Sequence, residues 1–175
     1  MCSLGHQRLS IIDLSVKGAQ PMCNEDGTVW LVVNGEIYNY KVLRTALEAQ
    51  GHTFRSDSDS EIAIHLYEEY GEGFVNKLRG MFALAIWDQN KQKLILARDP
   101  SGKKPLYYSW WDGKLLFGSE IKAILAGGGT KRINYSAIPI YLMYQYVLGE
   151  ETLFEGVKKL QAGHTLTVQG NGEPE

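Results

Sequence analysis

Apolar positions along this 175-residue chain fall into two kinds of pattern. Residues 29–33, 81–87, 94–97 and 115–117 are apolar throughout and lack the alternation of a half-wetted strand. They predict strands covered on both faces. Residues 106–111 and 164–168 are further strand segments. Val42, Leu43, Ala46 and Leu47 recur at helical spacing, with Asn39 as the expected N-cap and Gly51 just past the end. Ile62, Leu66 and Tyr70 form a second stripe that stops at Gly71. Residues 118–125 and 136–146 predict two more helices, with Pro139 confined to the first turn of the latter.

The strands come in adjacent groups, joined by Asp88-Gln89-Asn90 and Asp112-Gly113. Those are hairpin signals, so the sheets are expected to be mostly antiparallel. Doubly buried strands with helices elsewhere in the sequence predict an α+β protein: two packed sheets with helices outside, a four-layer α/β/β/α arrangement. Residues 1–170 read as one domain, and 171–175 as a tail leading toward an absent domain. Gly127-Gly128-Gly129 reads as a loop after a short helix.

Composition narrows the function classes. Hydrophobic residues make up 44% and charged residues 22%, ordinary globular values. A net charge of −2 gives no electrostatic case for nucleic acid or an anionic membrane. No apolar run approaches the roughly 18 residues of a membrane span. Cys2 and Cys23 do not form a disulfide framework, and a cytoplasmic setting is the expectation. His6, His52, His65 and His164 lack metal-ligand spacing and read as structural, so no metal is expected.

Three polar segments carry the candidate chemistry. In the first, residues 29–33 run into Asn34-Gly35-Glu36, with a helix following. A side-chain amide beside a glycine N–H gives two neighbouring donors, which an acyl-transfer site needs to hold a developing oxyanion. Asn-Gly is equally a common tight-turn pair, and Glu36 equally a solvated turn residue. The second segment runs from Gly5 to Asp13 and contains Arg8, either a bidentate carboxylate clamp or a surface arginine. The third is Ser56-Asp57-Ser58-Asp59-Ser60-Glu61, where Ser58 or Asp59 is the expected helix cap.

Together these segments resemble the class II glutamine amidotransferase domain of glutamine-dependent asparagine synthetases, an N-terminal-nucleophile (Ntn) hydrolase. The matching stretches cover almost the whole chain: LGHQRLSIIDLSVKGAQPM, VNGEIYNY, SDSEIAIHLYEEYG, LRGMFALAIWD, ARDPSGKKPLYY, LLFGSEIKAIL and YLMYQYVLGEETLFEGVKKLQAGHTL. The last three favour the asparagine synthetase branch. The resemblance implies that Arg8 binds the α-carboxylate of glutamine. Asp59 binds its α-ammonium, assisted by Glu36 and the backbone near Ile11. Asn34 and Gly35 form the oxyanion hole.

It also implies a glutaminase reaction that yields glutamate and ammonia. Cys2 would be the nucleophile once Met1 is removed, and its own amine, titrating near about 8, the base. Ammonia would pass to a synthetase domain or partner, to which ATP and magnesium belong, and this chain itself would hold no cofactor. Related enzymes with sugar acceptors, or an inactive glutamine-binding module, are the alternatives.

The sequence departs from the family in one important place. Cys2 is only six positions from Arg8, where the family has a strand, a helix and a His-Arg-Gly-Pro-Asp-type loop between them. Six residues span at most about 20 Å, so length alone permits a site. However, 4–9 matches a family strand, which would put Cys2 at its beginning. The missing strand is expected to leave an open sheet, with two alternatives: a second copy of the chain covers it, or the chain is a truncated product that folds imperfectly. Smaller departures are Pro100-Ser101 and Ala162.

Overall fold

A computed structural model describes residues 2–9, 12–170 and 172–174. Strands β1 (Met22–Cys23), β2 (Val29–Ile37), β3 (Gly80–Asp88), β4 (Lys93–Arg98) and β8 (Thr165–Gln169) form one sheet in the order β1-β2-β3-β4-β8. Strands β5 (Tyr107–Trp111), β6 (Lys114–Gly118) and β7 (Lys158–Lys159) form a second, ordered β6-β5-β7. Every pairing is antiparallel. Asp112 and Gly113 both take positive φ at the β5–β6 turn, as Asp-Gly predicts.

Helices α1 (Tyr40–Ala49) and α2 (Ile62–Tyr70) cover the outer face of the larger sheet. The helices differ in depth: α2 buries Ile62 to Tyr67 without a break, whereas α1 fully buries only Leu47. Tyr67 Oη donates to Asp88 Oδ2 at 2.8 Å and locks α2 to the end of β3. The second core lies between the sheets, where Val32, Ala83, Ala85, Leu94 and Leu96 meet Leu106, Leu160 and Phe117. Leu115 and Phe117 of β6 face that core. The intervening Leu116 lies against Gly127, at the end of α3 (Ile121–Ala126), on the opposite face. The layers therefore run α/β/β/α, and the fourth α-helix is α4 (Ile138–Tyr144).

Several local expectations shift. The second strand does not end at the Asn-Gly pair; it continues to Ile37 because Gly35 pairs with Phe82 in the ladder. Asn39 stands at the start of α1 but does not cap it. Its amide bonds Lys77 O and Arg79 N, each at 2.9 Å, and ties the helix to the approach of β3. Gly118 belongs to β6, so α3 starts later than the apolar spacing suggests. Residues 2–9 pair in no sheet, yet they alternate like a strand: Cys2, Leu4, His6 and Arg8 are half-buried, and the residues between them are exposed. Cys2 and Leu4 pack on the inter-sheet core. Among the described residues no helix is long and apolar enough to cross a membrane.

Candidate active site

All three polar segments contribute residues to one cavity of about 610 Å³. It is lined by Arg8, Asn34, Gly35, Glu36, Asp59 and Lys104, among others. Strand β2 supplies the floor. Its register explains which backbone groups are available. In an antiparallel pair, alternate residues direct N–H and C=O away from the partner strand. Phe82, opposite Gly35, exchanges its backbone bonds with Asp99 instead, so Gly35 aims its own groups at the open edge of β2. On that edge Val33 exchanges bonds of 2.6 and 3.1 Å with the Gln20 amide, which stands in for a neighbouring strand. The Ile37 N–H goes to Asp59 Oδ2 at 2.7 Å. Gly35 lies between these two anchored residues, with its N–H directed into the cavity.

Only glycine fits there. At φ +152° a Cβ on Gly35 would stand 2.0 Å from Met81 O. The neighbouring Asn34 donates from Nδ2 to Ser119 Oγ at 3.2 Å, which fixes the amide across the gap between the two sheets. Its second Nδ2–H remains available beside the Gly35 N–H.

Arg8 is held from behind. Nη2 donates to Ile12 O at 2.5 Å and Asp13 O at 2.6 Å. The guanidinium lies on Gly18, where a Cβ would approach to 2.7 Å. Two of its five donors are used in this way, and among the described residues Nε and Nη1 carry none of the side-chain hydrogen bonds.

The acidic side is built by a short 3-10 turn, Asp59–Glu61, and Ser58 is its cap: Ser58 Oγ accepts from Ser60 N–H at 3.3 Å. That frees Asp59 to face the cavity. Burial pushes the Asp59 carboxyl above its ordinary range, and the charge of Glu36 adds to the rise, against hydrogen bonds from Ile37 and its own turn. A cation beside this pair of carboxylates would offset both penalties.

Cys2 stands apart. It lines a separate cavity of about 270 Å³ with Leu4, Pro21, Trp30, Trp87 and Gln89. Trp30 and Asn34 are four residues apart on β2, about 13 Å of strand. Burial raises the Cys2 thiol, which disfavours thiolate. Ile11, the remaining expected site residue, lies outside the described residues. Gln20, Gly18 and Ser119 support the site but were not singled out in the sequence. Each acts only through a partner 10 to 85 positions away in the chain.

A family model described as a glutamine amidotransferase domain matches residues 1–175. The chain belongs to that family. It is 44% identical over 169 residues to the glutamine-hydrolyzing asparagine synthetase 1 of Bacillus subtilis, covering 97% of this chain and 27% of that protein. It is also 44% identical over 172 residues to the amidase chry2 of Gibberella zeae, covering 98% of this chain and 25% of that protein. The chain thus spans about a quarter of the length of the curated relatives it matches. Among solved structures, the glutamine phosphoribosylpyrophosphate amidotransferase of B. subtilis superposes with a TM-score of 0.69 at 22% identity, over 97% of this chain and 33% of that one. The fold is therefore that of this neighbour, with mixed α/β layers and antiparallel sheets as the apolar pattern predicts, and it is Ntn-hydrolase-like as the family resemblance implies.

Proposed function

We propose that this amidotransferase domain binds glutamine in the cavity beside β2 and belongs to a glutamine-hydrolysing enzyme. The observation that carries the reading is the set of groups lining one cavity: Arg8, Asn34, Gly35, Glu36 and Asp59. A zwitterionic amino acid needs one cationic and one anionic anchor, and its side-chain amide needs two donors at the carbonyl. Arg8 takes the α-carboxylate through its free donors. Asp59 and Glu36 take the α-ammonium. Asn34 Nδ2 and Gly35 N–H receive the amide oxygen and the negative charge that develops on it.

In the hydrolysis, a cysteine thiolate attacks the amide carbon, the C–N bond breaks and ammonia leaves with the added proton. Water then cleaves the glutamyl thioester to glutamate and restores the thiol. Cys2 lies in the other cavity. Glutamine binding is thus expected of the chain as described, and turnover only when a thiol reaches Asn34. Ammonia goes to an acceptor-activating domain, to which we assign ATP and magnesium. Helix α4 buries none of its residues, and its exposed Leu142, Met143 and Tyr144 suit the face toward that domain or a second copy. A cytoplasmic setting fits such chemistry. A second reading keeps the pocket and changes the acceptor; it rests on the equal identity to the fungal amidase.

Isothermal titration with L-glutamine tests the pocket. Saturable binding is expected, weakened about tenfold or more by Arg8→Gln and by Asp59→Asn, since each removes a charge-assisted contact. Absence of binding, or affinity unchanged in both variants, overturns the assignment. Peptide mapping after treatment with a diazo-ketone analogue of glutamine separates binding from turnover: an adduct on Cys2 means that the thiol reaches the bound amide.

A further inference from the structure

A second constellation lies between α2 and the segment that follows α1, and none of its residues lines the cavity. His52 follows α1, and His65 and Glu68 sit at i,i+3 spacing on α2, so they share a face. The Nδ1 atoms of the two imidazoles are 3.1 Å apart. Each ring turns its other nitrogen toward a carboxylate: His52 Nε2 is 3.0 Å from Glu69 Oε1, and the buried His65 Nε2 is 3.7 Å from Glu61 Oε1. Glu69 favours the Nε2–H tautomer of His52, whereas His65 Nε2 makes no hydrogen bond among the described residues and the nearer carboxylate to that ring, Glu68, lies at its Nδ1. When neither Nδ1 carries a proton, two lone pairs face each other. Glu68 Oε2 adds a third electron-rich atom, 3.1 Å from His65 Nδ1 and 3.6 Å from His52 Nδ1. Three such atoms repel unless a proton or a metal cation lies among them.

We propose that His52 Nδ1, His65 Nδ1 and Glu68 Oε2 form a zinc-type divalent metal site, with water as the fourth ligand. Bonds of about 2.0–2.2 Å to a tetrahedral zinc put its ligands roughly 3.3 Å apart. The observed separations of 3.1, 3.1 and 3.6 Å straddle that length. Two imidazoles and one carboxylate suit zinc better than magnesium or calcium, which take mostly oxygen ligands. The surroundings are those of a supported site. Glu69 and Glu61 stand behind the two histidines, and Asn24 Nδ2 donates to Glu68 Oε1 at 2.8 Å and pins the carboxylate. A metal here ties the segment after α1 to α2. The thirteen-residue gap between the histidines hides the pair from a reading of spacing.

The test uses the full chain carrying Cys2→Ser and Cys23→Ser, which removes competing thiols. Titration with Co²⁺ should give one equivalent of binding with the visible absorption of a tetrahedral ion, displaced by Zn²⁺. Zn²⁺ should also raise the thermal midpoint. His52→Ala and Glu68→Gln are partly exposed positions expected to fold by circular dichroism, and each should weaken Zn²⁺ by about tenfold or more. A shared proton in place of a metal would give no saturable binding and no Zn²⁺-dependent rise in midpoint, and that result overturns the proposal. So does unchanged affinity in the His52→Ala variant.

Discussion

Asp59 shows how a single side chain can favour binding at the expense of stability. Its carboxylate is buried and faces Glu36, and its pKa is raised by that burial first and by the Glu36 charge as well. The folded state therefore holds the Asp59 proton more tightly than the unfolded chain does. Unfolding free energy falls as pH rises from about 3.9, the ordinary aspartate value, through the raised folded value. Asp59→Asn removes this dependence while keeping an oxygen for the Ile37 N–H. In urea titrations across pH 3–7, the wild type should lose stability relative to the variant as pH rises through that window. A constant difference would mean that Asp59 ionises alike in both states. The residue scale also shows what a motif leaves open. Asn34-Gly35 is compatible with a turn or an oxyanion hole, and the pairing of Gly35 with Phe82 removes the turn.

Among the elements, the connection from β4 to β5 brings Lys104 to the cavity wall. Asp99 is fully buried. Its Oδ1 accepts from Ser101 and Lys103 N–H at 3.0 Å each, and its Oδ2 from Phe82 at 3.2 Å and Lys104 at 3.1 Å. Burial alone would raise this carboxyl, but the four bonds outweigh it and hold the pKa below the ordinary value. Arg98 clasps the same loop from the other side, donating to the carbonyls of Gly102, Lys104 and Leu160, each at 2.7 Å. Asp99→Asn leaves one carboxylate oxygen's donors unmatched and should cost about 2–4 kcal/mol of stability, read by denaturant unfolding at pH 7. The loss should shrink in acid, because a depressed carboxyl stabilises above its unfolded pKa and stops doing so as pH falls through the folded one. The elements themselves were largely legible in the sequence. The apolar runs became β2, β3, β4 and β6, and the two stripes became α1 and α2, because burial on both faces and helical spacing are local properties of sequence. Asn39 was the exception: a cap is also local, but here two backbone groups before β3 compete for the same amide.

For the whole molecule, the surface that stays bare is informative. Met143 is 74% and Leu142 67% exposed on α4, next to Tyr144 and Tyr146. Large contiguous apolar patches on an isolated chain favour association. Sedimentation velocity should therefore show concentration-dependent self-association of this chain, and Leu142→Ser with Met143→Ser should reduce it without lowering the thermal midpoint, since neither residue is buried. A monomer at every concentration would remove α4 as a docking face. At this scale the family and its layered fold agree with what the sequence motifs implied, over the whole chain.

The sequence by itself determined the longer strands, the helices, the antiparallel hairpins and the family. Those follow from local periodicity, turn chemistry and contiguous motifs. Tertiary structure alone decided the rest, because it depends on contacts between distant residues. It put Cys2 beside Trp30 and Trp87, in a different cavity from Asn34. It supplied Ser119 to hold Asn34 from 85 residues away, and Gln20 to complete the edge of β2. It also turned two histidines toward a common centre, a convergence set by the packing of the segment after α1 against α2.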